Sequence, residues 1–428
     1  MQYLFTFFKY YGILTQKIAS CDIKERVIDM KRNVKLNSPE RFSKPYAIDR
    51  EKLLSAAKAA CKKFKERVER DGPLFPVGTC SKDLRYQPLG KNGNWVSGMY
   101  TGCFFLAYEL TGDEFFKSVA MNIHLPTYTE RFENKVGLDD HDVGFVYMPG
   151  CVPAYKLFGD EGAKKCALDT FDYYFNTSYS NEGKFIIRQH TGYRRGGEYA
   201  YRTMMDSMMN ASFFFWAGDV TGNAEYTKAG EDHALTTEKY LIREDGSSFH
   251  HYQFDLKTHK ALYGLTFQGR ADDSCWSRGQ AWGVYGFPIA YSYTKNPVFK
   301  EVHKNITYFM LNHLPADMIP YWDYDFTSGD EPRDSSAGAI SVCGLLEMAK
   351  HLDDNDADKV IFESAAAQML DAIIDKCTNN PENYDGLINL VTHARPQNQG
   401  IDECAPYGDY FYLEALLRYL KPDFIRYW

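Results

Sequence analysis

A helical hairpin that recurs along the chain restricts the possible folds more than any other feature. Each copy has an aromatic-rich apolar helix, a turn with Gly, Asn or Asp, and a second helix that carries Lys and Glu. The copies are FFLAYELTGDEFFKSVAMNI, YKLFGDEGAKKCALDTF, FFFWAGDVTGNAEYTKAGEDHAL, IAYSYTKNPVFKEVHKNITYFML and LLEMAKHLDDNDADKVIFESAAAQML. Because one hairpin cannot bury its apolar face alone, neighbouring hairpins must stack.

The turns of these hairpins contain residues that end one helix and begin the next. They are Gly112 with Asp113, Gly159 with Asp160, Gly222 with Asn223, Asn296 before Pro297, and the run 353–356. A sixth pair forms if the helix predicted at 51–69 joins the one at 410–420. Six pairs predict an all-α fold, a six-hairpin (α/α)6 barrel, and an open helical solenoid is the alternative.

We predict that residues 49–428 form this barrel as a single domain and that residues 1–48 form an N-terminal extension, although a chain of 428 residues often has two or three domains. The extension contains YLFTFFKYYGIL, which is too short to span a membrane, and IASC, which resembles a lipoprotein cleavage box ending at Cys21. The charged segment of an export signal is missing. We favour a periplasmic location, with or without a lipid anchor, over a cytoplasmic one.

Composition excludes several classes of function. The net charge of −8 provides no basic face, which argues against nucleic acid as the main partner. The ten cysteines form no CxxC pair, so we expect mostly free, buried thiols. No segment is long enough to span a membrane. The aromatic content of 16% fits an aromatic-rich core or a carbohydrate cleft.

One face of the predicted barrel is the candidate site. The first helix of each hairpin would form an inner ring in which all helices run the same way. Their N-termini would then open on one face, and a long irregular segment precedes each of them. These segments are 71–95, 131–142, 180–206, 243–278, 314–335 and 378–409. The opposite face has short turns and little room for a pocket.

The stretch DDSCWSRGQAWGVYGF reaches this face at a predicted helix start. Ser277 and Gln280 have capping-box spacing, so Trp276, Arg278 and Trp282 would project from the first turns into the mouth. A guanidinium suits a carboxylate, and an indole suits the flat face of a sugar ring. The alternative is that the tryptophans belong to the core and Arg278 to a salt bridge.

Three aspartates also lie at predicted helix starts on this face: Asp142, Asp206 and Asp334. Each alone would suggest a helix cap. Together in a partly apolar cleft they would raise one another's pKa, which keeps a general acid protonated near neutral pH. The loops add Trp95, His250, Gln268 and Tyr407. No HExxH, GxSxG or nucleotide-binding motif occurs, and the histidines show no metal-ligand spacing, so we predict no metal and no cofactor.

Several motifs, in order, resemble glycoside hydrolase family 88, the unsaturated glucuronyl hydrolases. They are HDVGF, MMDSMMN, DDSCWSRGQAWGVYGF, YWDYDF with RDSSAGAI, and YGDYFYLEALLRY. The resemblance runs from about residue 50 to residue 420, and RGQAW separates the chain from the unsaturated rhamnogalacturonyl hydrolases of family 105. It implies the six-hairpin barrel. It also implies an oligosaccharide substrate, made by polysaccharide lyases, with a 4,5-unsaturated uronic acid at its non-reducing end.

The resemblance also implies roles for individual residues. Asp206 would be the general acid and base, and Asp142 the second essential carboxylate. The implied contacts to the unsaturated sugar are Trp95, His141, His250, Gln268, Arg278, Trp282 and Tyr407. The segment THARPQNQGIDECAPYGDY lacks the serine and lysine that sulfate-tolerant members can carry there, which leaves the sulfation preference unassigned, although Arg194, Arg195, Arg202 or Arg395 could substitute. The sequence does not predict the oligomeric state.

Other functions fit the residues alone. The nearest is an unsaturated rhamnogalacturonyl hydrolase on the same barrel. An ordinary inverting glycosidase would use two carboxyl groups on a saturated substrate. A non-catalytic sugar-binding barrel would need the aromatic cleft but no acid, so the pair of Asp142 and Asp206 argues against it.

Overall fold

The computed structural model describes residues 32–188, 201–379 and 384–428, which form thirteen α-helices. In chain order, α1 to α13 are Arg50–Asp71, Ser97–Thr111, Glu114–Ser118, Leu125–Glu133, Val143–Phe158, Glu161–Ser178, Ser207–Thr221, Ala224–Leu241, Ser277–Thr294, Pro297–His313, Ser335–Ala349, Ala357–Cys377 and Pro406–Leu420. A π-helical stretch, Val119–His124, joins α3 to α4, and two 3-10 turns span Pro39–Arg41 and Arg395–Gln397.

Six of these helices form a closed inner ring. Helices α2, α5, α7, α9, α11 and α13 contact one another in that order, and α13 also contacts α2. Five of the other helices lie against the ring from outside: α1 on α13, α6 on α5, α8 on α7, α10 on α9 and α12 on α11. The predicted mostly helical fold is confirmed, and the helix at the chain's start pairs with the one at its end as predicted.

The predicted turn residues end and begin the helices. Gly112, Gly159 and Gly222 adopt left-handed backbone angles, with φ of 70°, 68° and 71°, immediately after α2, α5 and α7. Side chains at the next helix starts then accept backbone N–H groups. These caps are Asp113, Asp160, Asn223, Asn296 and Asp356. The hairpin turns therefore close one face of the ring.

The long segments before the inner helices contain short strands, which the all-α prediction did not include. Strands β1 to β7 are Phe75–Pro76, Leu89–Gly90, Tyr179–Ser180, Phe185–Ile186, Arg202–Met204, His251–Phe254 and Ala261–Leu265. They form antiparallel pairs β1–β2 and β3–β4 and a three-stranded sheet in the order β5-β6-β7. Strands this short carry no clear alternation of apolar and polar residues, so sequence periodicity misses them.

Glycines allow the inner helices to approach closely. A Cβ atom at Gly98 of α2 would lie 2.2 Å from the carbonyl oxygen of Phe145 in α5. At Gly344 of α11 it would lie 2.4 Å from the carbonyl oxygen of Val284 in α9. On the closed side, the indole of Trp428 is buried and stacks on Phe411 at 5.8 Å. These side chains fill part of the ring's interior on that side.

Part of the predicted extension packs on the helices. Arg32 donates to the backbone of Glu238 at 2.9 Å, Val34 N–H donates to Asn305 at 2.9 Å, and the side chain of Phe42 is buried. Residues 1–31, including the predicted cleavage box at Cys21, lie outside the described residues. None of the helices in the described ranges is long and apolar enough to cross a membrane. The nine cysteines in these ranges are free, and eight of them are buried.

We expect Gly344→Ala to lower the free energy of unfolding by about 1–3 kcal/mol, because the methyl group would meet the backbone of α9. Gly338→Ala, in the same helix, is the matched control. Its Cβ would meet side-chain carbons and no backbone atom: Ile373 at 3.3 Å, Pro320 at 3.4 Å and Met369 at 3.9 Å. Ala also favours the helix by about 1 kcal/mol over Gly. Urea unfolding followed by circular dichroism measures both. Equal stability of the two variants would contradict close backbone packing at α9 and α11.

Candidate active site

A cavity of about 240 Å³ lies where the segments before the inner helices meet. Its walls come from residues far apart in the chain, which the closed ring brings together at one face. Seven of the nine predicted site residues line it: Trp95, His141, Asp142, Asp206, His250, Gln268 and Arg278. The structure thus brings both predicted catalytic aspartates to one cavity.

The three aspartates at helix starts differ in what their side chains do. Asp334 caps α11 by accepting the N–H of Ala337, and it is fully buried. Asp142 and Asp206 occupy the same position before α5 and α7, but neither side chain makes a capping hydrogen bond. The helix-cap explanation therefore applies to Asp334 only. The carboxyl groups of Asp142 and Asp206 face the cavity instead.

The small sheet positions Asp206 beside His250. Strand β5 pairs with β6 so that Met204 lies opposite His251, and the N–H of Met205 donates to the carbonyl of His250 at 3.0 Å. The chain then enters α7 with Asp206 at its start. The Nε2 of His250 lies 3.8 Å from Oδ2 of Asp206, and neither atom has a hydrogen-bond partner among the described residues.

Burial keeps the carboxyl groups of Asp142 and Asp206 protonated to unusually high pH. It raises the pKa of Asp206 to about 6, against the opposing charge of Arg278. Burial, followed by the charge of Asp140, raises the pKa of Asp142 well above its usual range, while Arg188 opposes the shift. Burial also lowers the pKa of His141 to about 4 and that of His250 well below its usual range. Near neutral pH the histidines are uncharged.

His141 lies between two carboxyl groups. Its Nδ1 is hydrogen-bonded to Asp140, and its Nε2 lies 3.1 Å from Oδ1 of Asp142. These three residues offer ligand atoms within 4.8 Å of one another, a spacing that a metal ion could use. However, Nη1 of Arg188 lies 3.1 and 3.2 Å from the two ring nitrogens, and its positive charge would repel a cation. We therefore assign no metal to this group.

The guanidinium of Arg278 is engaged with the protein. Its Nη1 donates to Asp334 and to the carbonyl of Thr392 at 2.8 Å, and its Nη2 donates to the carbonyl of His393 at 2.6 Å. The side chain is buried and packs on the ring of Trp276. The salt bridge that we considered as the alternative is therefore present. Arg278 lines the cavity, and three of its N–H groups donate to these protein acceptors.

The capping box predicted at Ser277 and Gln280 does not form. Helix α9 does begin at Ser277, but no side chain caps it. The amide of Gln280 donates instead to the carbonyls of Gly246 and Ile306, each at 2.9 Å. The sequence spacing fits a capping box, but the side-chain amide of Gln280 is hydrogen-bonded to two carbonyls elsewhere in the fold instead.

Two predicted sugar contacts, Trp282 and Tyr407, lie behind the cavity wall. Neither is among the residues that line the cavity, and both side chains are buried. Trp282 packs against Phe145 at 5.1 Å, while Tyr407 stacks on Trp95 at 5.5 Å with an interplanar angle of 15°. Direct contact of these two rings with the sugar stays a prediction, and in the structure Tyr407 supports the indole of Trp95.

Several residues that line the cavity are not among the nine predicted site residues or Trp276. They are Thr79, Asp140, Arg188, Arg202, Met204, His251, Phe267, His393, Ala394, Gln397 and Gln399. His393 matters most for the geometry, because its carbonyl also accepts the side-chain amide of Gln268 at 2.8 Å. Asp140 and His251 directly adjoin predicted site residues in the chain, and this adjacency could have indicated them. His393 and the two arginines have no such neighbour.

The family model, the sequence relatives and the solved structures that this chain resembles agree on one family. The model of Glycosyl Hydrolase Family 88 matches residues 58–419. An unsaturated chondroitin disaccharide hydrolase of Streptococcus pneumoniae is 37% identical, over 92% of this chain and 98% of the relative. The crystal structure of an unsaturated glucuronyl hydrolase from Streptococcus agalactiae has a TM-score of 0.87 at 33% identity, covering 93% of this chain and 99% of the other. A variant of that enzyme complexed with dGlcA-GalNAc6S has a TM-score of 0.81 at 31% identity, covering 93% and 99%.

We expect the carboxyl group of Asp206 to titrate near pH 6. Below that pH it is a neutral acid that can donate a proton, and above it the group is an anion, because burial has raised its pKa to about 6. Titration of the protein labelled with ¹³C at the aspartate carboxyls measures this directly. Burial also raises the pKa of Asp409 to about 6, so one of two signals that titrate near pH 6 should be missing from Asp206→Asn. If that variant loses only a signal that titrates near pH 4, Asp206 has an ordinary environment.

Proposed function

The chain belongs to glycoside hydrolase family 88, and we propose that its cavity carries out the reaction of the unsaturated glucuronyl hydrolases. The enzyme releases the 4,5-unsaturated uronic acid from the non-reducing end of oligosaccharides made by polysaccharide lyases. The relatives named for chondroitin and glucuronyl substrates support glycosaminoglycan-type disaccharides as the substrate class.

The cavity lies at one face of a helical barrel. We infer that the inner ring and the helices outside it constitute a six-hairpin (α/α)6 barrel and that residues 49–428 act as one catalytic domain. The contacts of α13 with both α11 and α2 support this, as does the pairing of α13 with α1.

The environment of Asp206 carries the proposal. Its side chain is buried at a helix start, does not cap the helix and has a pKa raised to about 6. The C4=C5 double bond of the unsaturated uronate is part of an enol ether, and adding water to it needs a carboxyl group that is protonated near neutral pH. An exposed aspartate would be ionised at that pH. A protein that only binds a sugar has no need of such an acid. Asp206 is thus the proposed general acid and base, and Asp142 the second essential carboxyl group.

The chemistry follows from the double bond. The C4=C5 bond of the unsaturated uronate is joined to the ring oxygen, so a proton delivered by Asp206 to C4 gives an oxocarbenium ion at C5. The Asp206 carboxylate then removes a proton from a water molecule that adds to C5. The resulting hemiketal opens and expels the neighbouring sugar. One proton-transferring carboxyl group is enough, unlike in ordinary glycosidases, which use a pair.

The cavity also has the features needed to hold an anionic sugar. Arg188, Arg202 and Arg278 line it, and their positive charges favour a bound uronate. Because Arg278 donates to Asp334 and to two carbonyls, we assign it a role through its charge and through the positions of those carbonyls. The half-buried indole of Trp95 provides a flat face for the sugar, and His141, His250 and Gln268 provide polar contacts.

Asp206→Asn should abolish turnover of unsaturated disaccharides while the helical circular dichroism spectrum stays unchanged, because the amide cannot donate a proton to carbon. Loss of the alkene's ultraviolet absorbance measures turnover, with unsaturated disaccharides from chondroitin, hyaluronan and heparin as substrates. Asp160→Asn is the matched control. Asp160 caps α6 on the opposite face by accepting from Ala163 at 2.9 Å, and Asn caps equally well. Substantial activity of Asp206→Asn would remove this residue from the acid and base role.

Isotope labels should distinguish hydration from ordinary glycoside hydrolysis. In water labelled with heavy oxygen, the label should enter at C5, because the cation forms there and C1 keeps its original oxygen until the ring opens. In deuterium oxide, deuterium should appear at C4. Mass spectrometry and carbon NMR of early products locate both labels. Oxygen label at C1 without deuterium at C4 would mean that Asp142 and Asp206 act as a conventional glycosidase pair.

A further inference from the structure

Asp140 lies in the cavity wall and has no part in the reaction as described so far. Its Oδ1 accepts the backbone N–H of His141 at 2.7 Å and is also hydrogen-bonded to Nδ1 of the same histidine. The carboxyl group is thus held against the imidazole by two contacts. The other ring nitrogen, Nε2, lies 3.1 Å from Oδ1 of Asp142.

These contacts determine which nitrogen of His141 carries its proton. A neutral imidazole has one N–H and one acceptor nitrogen, and an ionised carboxylate can only accept. His141 is neutral near pH 7, because burial lowers its pKa to about 4. Oδ1 of Asp140 accepts a backbone N–H and lies 3.7 Å from Nη1 of Arg188, and both contacts favour its ionised, accepting form. The proton of His141 is therefore on Nδ1 and faces Asp140. Nε2 is left as an acceptor, and at 3.1 Å from another oxygen it needs a proton from Asp142.

We propose that Asp140 is a positioning residue: it accepts the Nδ1 proton of His141, so that Nε2 of His141 accepts the proton of Asp142 and Asp142 remains a neutral acid. This inference rests on the proposed function and assigns Asp140 a part in it. A neutral Asp142 does not repel the anionic uronate. It also leaves Asp206 as the carboxyl group that changes its charge during the reaction.

The charges around Asp142 come from several elements. They belong to Asp140 in the same loop, Arg188 after β4, Asp206 before α7 and Arg131 on α4. Burial and the two aspartates favour the neutral form of Asp142, whereas the two arginines favour the ionised form. Tyr174 on α6 also faces this group, and its hydroxyl donates to the carbonyl of His141 at 2.7 Å.

Arg188 does not decide the tautomer of His141. Its Nη1 lies at nearly equal distances, 3.1 and 3.2 Å, from the two ring nitrogens. A donor placed in this way favours neither nitrogen over the other. The choice is therefore left to the carboxyl groups on the two sides of the ring.

NMR of ¹⁵N-histidine-labelled protein tests the proposal without substrate, with His141→Gln to assign the signal. In the wild-type protein, His141 should show a protonated Nδ1 and an unprotonated Nε2. In Asp140→Asn, where the carboxylate charge is lost, the Nε2-protonated form should become populated. In Asp142→Asn the wild-type pattern should persist, because the carboxamide can donate to Nε2.

Kinetics provide the second readout. Asp140→Asn should lower kcat roughly 10- to 100-fold with little change in KM, as expected when a residue that orients a functional group is lost. Asp139→Asn changes the neighbouring, exposed aspartate and should match the wild type. A protonated Nε2 in wild-type His141, or an Asp140→Asn variant with wild-type tautomer and kcat, would overturn the proposal. If the wild-type protein has no activity on unsaturated disaccharides, the proposed function fails, and the NMR pattern still decides the role of Asp140.

Discussion

The cavity depends on one buried arginine. Arg278 joins the start of α9 to Asp334 at the start of α11 and to the carbonyls of Thr392 and His393 in the segment before α13. Removing one partner of such a pair typically costs about 3–5 kcal/mol, because the other charge is left buried and unpaired. The same guanidinium opposes the effect of burial on Asp206. One side chain thus fixes the wall of the cavity and limits how far the pKa of its acid is raised.

The helical framework could be predicted because its signals are local. A glycine with positive φ and an Asp or Asn that caps the next helix occur within a few residues, as at Gly159 and Asp160, and the sequence shows them directly. The short strands could not be predicted in this way. The pairing of Met204 with His251 joins residues 47 positions apart, and only the closed ring brings them together.

The candidate site was predictable where a residue type at a helix start carried the information. Asp142, Asp206 and Asp334 look alike in the sequence, since each is an aspartate just before a helix. Only the hydrogen bonds in the structure distinguish the cap at Asp334 from the two cavity carboxyls. Arg278 shows what the sequence alone could not predict. Its type and position suggested a ligand contact, but its acceptors at Thr392 and His393 lie 114 and 115 residues away. No spacing rule connects such partners.

The unpaired polar atoms in the cavity have a consequence for protein engineering. Oδ2 of Asp206, Nε2 of His250 and both ring nitrogens of His251 are buried without hydrogen-bond partners among the described residues. Residues placed for function are commonly not the most stabilising ones at their positions, so apolar replacements there can make the protein more heat-resistant. A laboratory selection for heat resistance alone would therefore favour replacements at the very residues that face the substrate. Substitutions confined to the hairpin turns on the closed face avoid this conflict, since no residue there lines the cavity in the described part of the chain.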